Sequence, residues 1–156
     1  MITLEKEVLD RISEHATAEY PKECCGILIG SPGGDGLSVH PCTNIQDRLR
    51  QEDPITYPRD ARTAYYIDPS EQFRIISEAE ARERVVWGFY HSHPDHSAYF
   101  SAEDATRALL DGEPIYPGAT YIVVSIIKRT VCDVKAYAYN EQAQSFQEHT
   151  IERRNE

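Results

Sequence analysis

A chain of 156 residues, 40% hydrophobic and 27% charged, has the length and mix of one soluble globular domain built around one core. Its formal charge of −10, with no basic run to reverse it locally, argues against nucleic acid as the main partner, because a phosphate binder needs a basic face. The opening MITLEKEVLDRISEH is charged from its fifth residue and no apolar run approaches the roughly 20 residues of a membrane helix; neither a secretory signal nor a membrane partner is expected, and the expected location is the cytoplasm.

Leu4, Val8, Ile12 and Ala16 recur every four residues with charges between them, which predicts an amphipathic first helix stopped by Pro21. CCGILIG (24–30) is a short apolar run followed by the turn residues SPGGDG, so a strand is expected, with LSVHPCTNI (37–45) returning as its hairpin partner. Residues 46–66, QDRLRQEDPITYPRDARTAYY, carry many charges and two prolines. They read as a long flexible loop or flap, either functional or a surface excursion. DPSE (68–71) looks like a helix start, with Asp68 as cap, Pro69 first and Glu71 three past the cap; that helix is expected to run to about residue 84.

VVWGFYH (85–91) is the nearly continuous apolar run of a strand buried on both faces. A third helix is expected from about 101 to 112. YIVVSII (121–127) is another buried strand, and VCDVKAYAY (131–139) alternates like a half-exposed one. This order predicts an α/β fold: one domain over 1–156, with a single mixed β-sheet flanked by helices. The four cysteines include no C-x-x-C pair, so they are expected to be reduced small hydrophobes rather than a disulfide framework or a zinc knuckle.

The stretch GFYHSHPDHSAYFSAED (88–104) concentrates the polar chemistry. His91 and His93 are two apart at the end of an expected strand, so both imidazoles face one side. Pro94 then ends the strand. Ser101 and Asp104 have a plain reading as a helix cap and its third residue. That reading is compatible with a second one, in which the capped helix aims Asp104 across the loop at the histidines. Two nitrogens and a carboxylate oxygen are a usual catalytic zinc set, with the fourth position left to water. An acid off the metal must then handle the proton. Glu23, in YPKECCGILIG, is the candidate; its plainer reading is a loop residue before a strand. His96 reads as a solvent-facing loop residue, Ser92 as a residue of the opposite strand face, and Trp87 and Tyr90 as core.

Taken together, ECCGILIG, then HSHP, seven residues and SAED resemble the JAMM/MPN metallopeptidase family, whose signature is a glutamate, H-x-H, seven residues and S-x-x-D. The resemblance runs from the first helix to the YIVVSI strand. It implies a three-layer, cytidine-deaminase-like architecture and one zinc ion on His91, His93 and Asp104. It also implies Glu23 as general base and acid and Ser101 as a donor to the developing oxyanion. Phe100 stands where many bacterial members carry proline before the serine, which removes no ligand. The implied reaction is hydrolysis of a peptide or isopeptide bond after the Gly-Gly tail of a ubiquitin-like or sulfur-carrier β-grasp protein, with the 46–66 flap expected to close over that tail. The competing readings are a zinc peptidase acting on a short peptide or cell-wall fragment and a non-catalytic interaction domain. Other zinc and phosphate motifs fit badly: there is no H-E-x-x-H, no P-C-x-x-C, and GSPGGDG lacks the Gly-Lys-Ser/Thr ending of a phosphate loop.

Overall fold

A computed structural model of the protein describes residues 1–155. Its centre is a six-stranded mixed sheet in the order β3-β2-β4-β7-β8-β9. Strands β2 (Cys25–Gly30), β3 (Ser38–Cys42) and β4 (Val85–Pro94) form the first half. Strands β7 (Thr120–Ile127), β8 (Thr130–Asn140) and β9 (Ser145–His149) form the second. The halves meet where β4 runs parallel to β7; every other pairing in the sheet is antiparallel.

Helices cover both faces, giving three layers. Helix α1 (Lys6–Glu19) buries Val8, Leu9, Ile12 and Ala16 against Leu28, Tyr90, Ile122, Val124 and Ile126. Helix α3 (Pro69–Ala81) lies on the other face, with Ile75 and Ala79 over Ile27, Ile29, Phe89 and Val123. Its start follows the expected chemistry in two parts, the Asp68 side chain accepting from the Ser70 N–H and Pro69 in the first turn. The Glu71 carboxylate, however, accepts the Thr43 N–H at 2.9 Å instead of closing a capping box. Strand alternation divides the core, since neighbours such as Ile122 and Val123 point to opposite faces. Gly88 marks a close approach of β4 and β7, where a Cβ would collide with the Thr120 carbonyl.

Four further expectations change in detail. Leu4 is buried, but on a short strand β1 (Ile2–Glu5) that pairs with β10 (Ile151–Arg154), and the helix begins two residues later. The 46–66 segment opens with helix α2 (Gln46–Glu52) before it becomes turns. The start of α2 is anchored in the interior: Ile45 and Gln46 are both buried, and Gln46 Nε2 donates to the Arg59 carbonyl at 3.1 Å. Helix α3 ends at Ala81, earlier than the expected 84. Helix α4 (Ala102–Ala108) is also shorter than expected, because the chain turns into a small hairpin of β5 (Leu109–Leu110) and β6 (Glu113–Pro114), with Gly112 at positive φ in its turn. Among the described residues, no helix is long and apolar enough to cross a membrane.

Candidate metal centre and active site

The middle of the sheet builds the site. His91 and His93 lie at the end of β4, flanked by Cys25 of β2 and by Val123 and Ser125 of β7. The pleat sends both rings to the α3 face, while Ser92 points the other way and its Oγ accepts the Cys24 N–H at 2.8 Å. Asp104 arrives from the first turn of α4. Ser101 caps that helix through a reciprocal pair: its Oγ accepts the Asp104 N–H, and its own N–H donates to Asp104 Oδ2, each at 3.0 Å. The cap is therefore also the device that turns the Asp104 carboxylate toward the histidines.

Three donor atoms converge. His91 Nε2 and His93 Nε2 are 3.2 Å apart, and Asp104 Oδ2 lies 3.1 Å from the first and 3.5 Å from the second. A tetrahedral ion with bonds of about 2.0–2.2 Å sets its ligands roughly 3.3–3.6 Å apart, close to this triangle. The chemistry agrees with the distances. His93 Nδ1 meets the Ser97 carbonyl at 2.9 Å, and a carbonyl only accepts, so the ring proton sits on Nδ1. In the neutral ring Nε2 is then a bare lone pair, facing a second imidazole nitrogen and a carboxylate. Such a convergence of acceptors needs a proton or a cation, and the residues fit a metal.

Glu23 is 5% exposed and stands two residues before β2 on the face of His91. One of its oxygens lies within 4.8 Å of both histidine nitrogens, so either acid can be paired with the two rings. The tighter triangle is the one with Asp104, and Glu23 stands one step farther out. Its backbone is fixed from both sides: its N–H donates to the Ala61 carbonyl at 2.7 Å, and its carbonyl accepts from Asn44 Nδ2 at 2.9 Å.

The two acids are pushed apart. Burial, and next the carboxylates of Asp104 and Glu103, raise the Glu23 carboxyl to about 9. Burial also works to raise Asp104, but the charge of His91 and hydrogen bonds from His91, His93 and the Ser101 N–H prevail and hold it well below the usual carboxylate range. One carboxyl is thus kept ionised and the other kept ready to hold a proton, the separation expected of a metal-side acid and a proton-transfer acid.

The five sequence candidates, His91, His93, Asp104, Glu23 and Ser101, are brought to one place. His96 is exposed, Tyr90 is buried under α1 against His15, and Trp87 is half-buried in the core. Cys24, Cys25 and Cys42 are buried and free, with burial pushing the Cys24 and Cys42 thiols up to about 12; Cys132 is exposed. Three residues of the site were not foreseen. Tyr65 stacks on His91 at 4.5 Å between ring centroids. Asn44 holds Glu23. Arg107 reaches from α4 to the Tyr65 carbonyl and pairs with Glu103 at 3.3 Å. The aromatic pair Tyr65–Tyr66 inside a charged segment was the available signal; Asn44 and Arg107 offer none at sequence level.

Comparison with known proteins places this geometry. Residues 5–142 match the family model described as prokaryotic homologs of the JAB domain. A desampylase from Haloferax volcanii is 31% identical over 119 residues, 76% of this chain and 73% of that protein. A CysO-cysteine peptidase from Mycobacterium tuberculosis is 27% identical over 125 residues, 80% and 73% of the two chains. The solution structure of a protein from Desulfitobacterium hafniense superposes with a TM-score of 0.73 at 26% identity, covering 100% of this chain and 94% of that one. The crystal structure of a JAB1/MPN domain protein from Archaeoglobus fulgidus shares the fold, with a TM-score of 0.51 at 22% identity over 98% of both chains. The triangle of donors at the end of β4 thus sits in the fold and sequence frame of a known group, and the chain belongs to the prokaryotic JAB-domain, or JAMM/MPN, family.

Proposed function

We propose that this protein is a zinc-dependent hydrolase that cuts the peptide or isopeptide bond after the C-terminal Gly-Gly of a small ubiquitin-like or sulfur-carrier protein of β-grasp fold. The observation that carries the reading is the three-donor face of His91, His93 and Asp104 with a proton-holding Glu23 beside it. The two named relatives, a desampylase and a CysO-cysteine peptidase, support the substrate class.

His91, His93 and Asp104 would hold the zinc, which when bound supplies Lewis-acid activation of water and of the scissile carbonyl. Glu23 does the proton work: as carboxylate it takes the proton of the attacking water, and as acid it returns that proton to the departing amine. Its high proton affinity in this buried place suits the second half of the task, and a neighbouring dication favours the ionised form needed for the first. Ser101 spends a lone pair of Oγ on the Asp104 N–H, which leaves its O–H to donate to the oxygen gaining charge. Ser101→Ala is therefore expected to lower kcat about 10²- to 10³-fold. It should also weaken the start of α4 by about 1 kcal/mol, read by thermal melting beside the kinetics.

A groove of about 700 Å³ leads away from Asp104, floored by Phe89 and Tyr121 and walled by Ile67, Phe73, Ile76 and Tyr116. It is far roomier than two glycines require. The reading it supports is that the Gly-Gly lies at the metal, where lack of side chains permits close approach, while apolar residues before it fill the groove. The 46–66 segment borders this path through Tyr65 and Tyr66, and ion pairs join it to the rest of the fold at Asp47, with Lys22 at 3.1 Å, and at Arg59, with Glu103 at 3.0 Å. Its exposed middle, around Ile55, is the part left to close over a bound tail.

Intact-mass analysis tests the proposal. The zinc-loaded protein is incubated with a β-grasp carrier extended beyond its Gly-Gly. Cleavage after the second glycine is expected, with KM raised about tenfold by Phe73→Asp, which puts a charge in the groove on an exposed side chain. An uncut carrier in the presence of one bound zinc per chain would move the activity to another substrate.

A further inference from the structure

The outer nitrogen of His93 is held by a backbone carbonyl in an exposed turn, and that turn is itself clamped from three sides. Residues 95–97 are exposed and belong to no helix or strand, yet the Ser97 carbonyl takes the Nδ1–H of His93. An unsupported turn would let this acceptor wander, and with it the ring. Asp95 adopts positive φ, a conformation few residues other than glycine tolerate, and its N–H donates to the Ile126 carbonyl at 2.6 Å. The Asp95 carboxylate accepts the Tyr20 hydroxyl at 2.8 and 2.9 Å and the Lys128 N–H at 2.9 Å, linking the turn to the end of α1 and to the β7–β8 corner. The carbonyls on either side of Ser97 are pinned as well. Ser125 Oγ donates to the His96 carbonyl and the Tyr137 hydroxyl donates to the Ala98 carbonyl, each at 2.6 Å. Ser125 is the β7 neighbour of His93 itself.

We infer that Asp95, Ser125 and Tyr137 are positioning residues of the metal centre, holding the Ser97 carbonyl that fixes the tautomer and orientation of His93. None of them touches the three donors. The inference rests on the reading of His93 as a metal ligand. Partners of this kind set the basicity and aim of the imidazole, and their loss typically costs 10- to 100-fold in metal affinity.

The test uses Ser125→Ala/Tyr137→Phe, which deletes two hydroxyls and keeps the apolar packing. Zinc is titrated into the metal-free full chain against a chelator of known affinity, and long-range proton–nitrogen NMR reads which His93 nitrogen carries the proton. The double variant is expected to bind zinc about tenfold more weakly and to lose the pure Nδ1–H tautomer. Asp95→Ala is expected to do the same. Asp95→Asn keeps an acceptor and tolerates positive φ, so it should stay within about twofold of wild type. Unchanged tautomer and affinity in the double variant, whatever its melting temperature, would overturn the inference. A wild-type chain that binds no zinc would overturn the reading of the centre, and this inference with it.

Discussion

Replacing Glu23 with glutamine is expected to lower kcat by about 10³-fold, within the 10²- to 10⁴-fold range of general acid–base catalysis. Zinc content and carrier affinity should hold, because Glu23 lies outside the tight donor triangle. The same substitution carries a stability signature of opposite sign. The carboxyl titrates near 9 in the fold against 4.5 ordinarily, so between those values the metal-free fold holds a proton that the unfolded chain does not. That contribution is fully present below about pH 4.5 and is lost as pH rises through 9. Glutamine removes the slope. The melting temperature of the metal-free variant should therefore gain on wild type as pH is raised from 5 toward 9, and melts across that range check it. A parallel pair of curves would mean that Glu23 stays ionised in the fold, and that burial does not govern it.

Asp104→Asn is the second large effect. Asparagine keeps an oxygen to accept the Ser101 N–H and a backbone N–H for Ser101 Oγ, so the cap of α4 should survive. What it removes is the charge that completes the donor set. Zinc affinity is expected to fall by more than about 100-fold, beyond the range that changes outside the ligand sphere cause, and hydrolysis to fall to background. Metal analysis after dialysis, with circular dichroism to confirm the fold, reads both halves. Full retention of zinc would transfer the third ligand to Glu23, the other acid within reach of both histidines.

The parts of this protein that announce themselves in sequence are those with a strong period or a strong cap. The runs at 24–30 and 121–127 carry unbroken apolar stretches and are buried on both faces, whereas the run at 85–91 is buried only from Gly88 on, with Val85 exposed and Val86 and Trp87 half-buried. Asp68-Pro69 and Ser101-x-x-Asp104 mark their helices because capping needs those side chains at those offsets. Strands β9 and β10 do not show, because they are mostly exposed and SFQEHTIERR has too few apolar residues to print a period. Leu4 matches the helical period by coincidence, since an inward residue of β1 falls one turn before the stripe of α1, and either placement buries it. His91, His93 and Asp104 were legible because two histidines at a spacing of two and a capped acid form a local pattern, whereas Glu23, far upstream, stands out only as a charge ahead of an apolar strand. Tyr65 and Asn44 act across long sequence distances, on His91 and on Glu23, and only the fold brings them there.

Asn44 has a consequence for anyone who re-engineers this protein. Its side chain donates to the Glu23 and Ala64 carbonyls and accepts the Gln46 and Tyr66 N–H groups, so the two roots of the 46–66 segment and the acid of the site share one knot. The Ala61 carbonyl adds a second strand to it through the Glu23 N–H. Excising the whole segment to ask what it contributes to substrate choice would also untie Glu23, and the two losses would be inseparable. A graft meant to exchange specificity between relatives should cut inside the knot, replacing residues 48–58 and leaving 44–47 and 59–66 as the host's own.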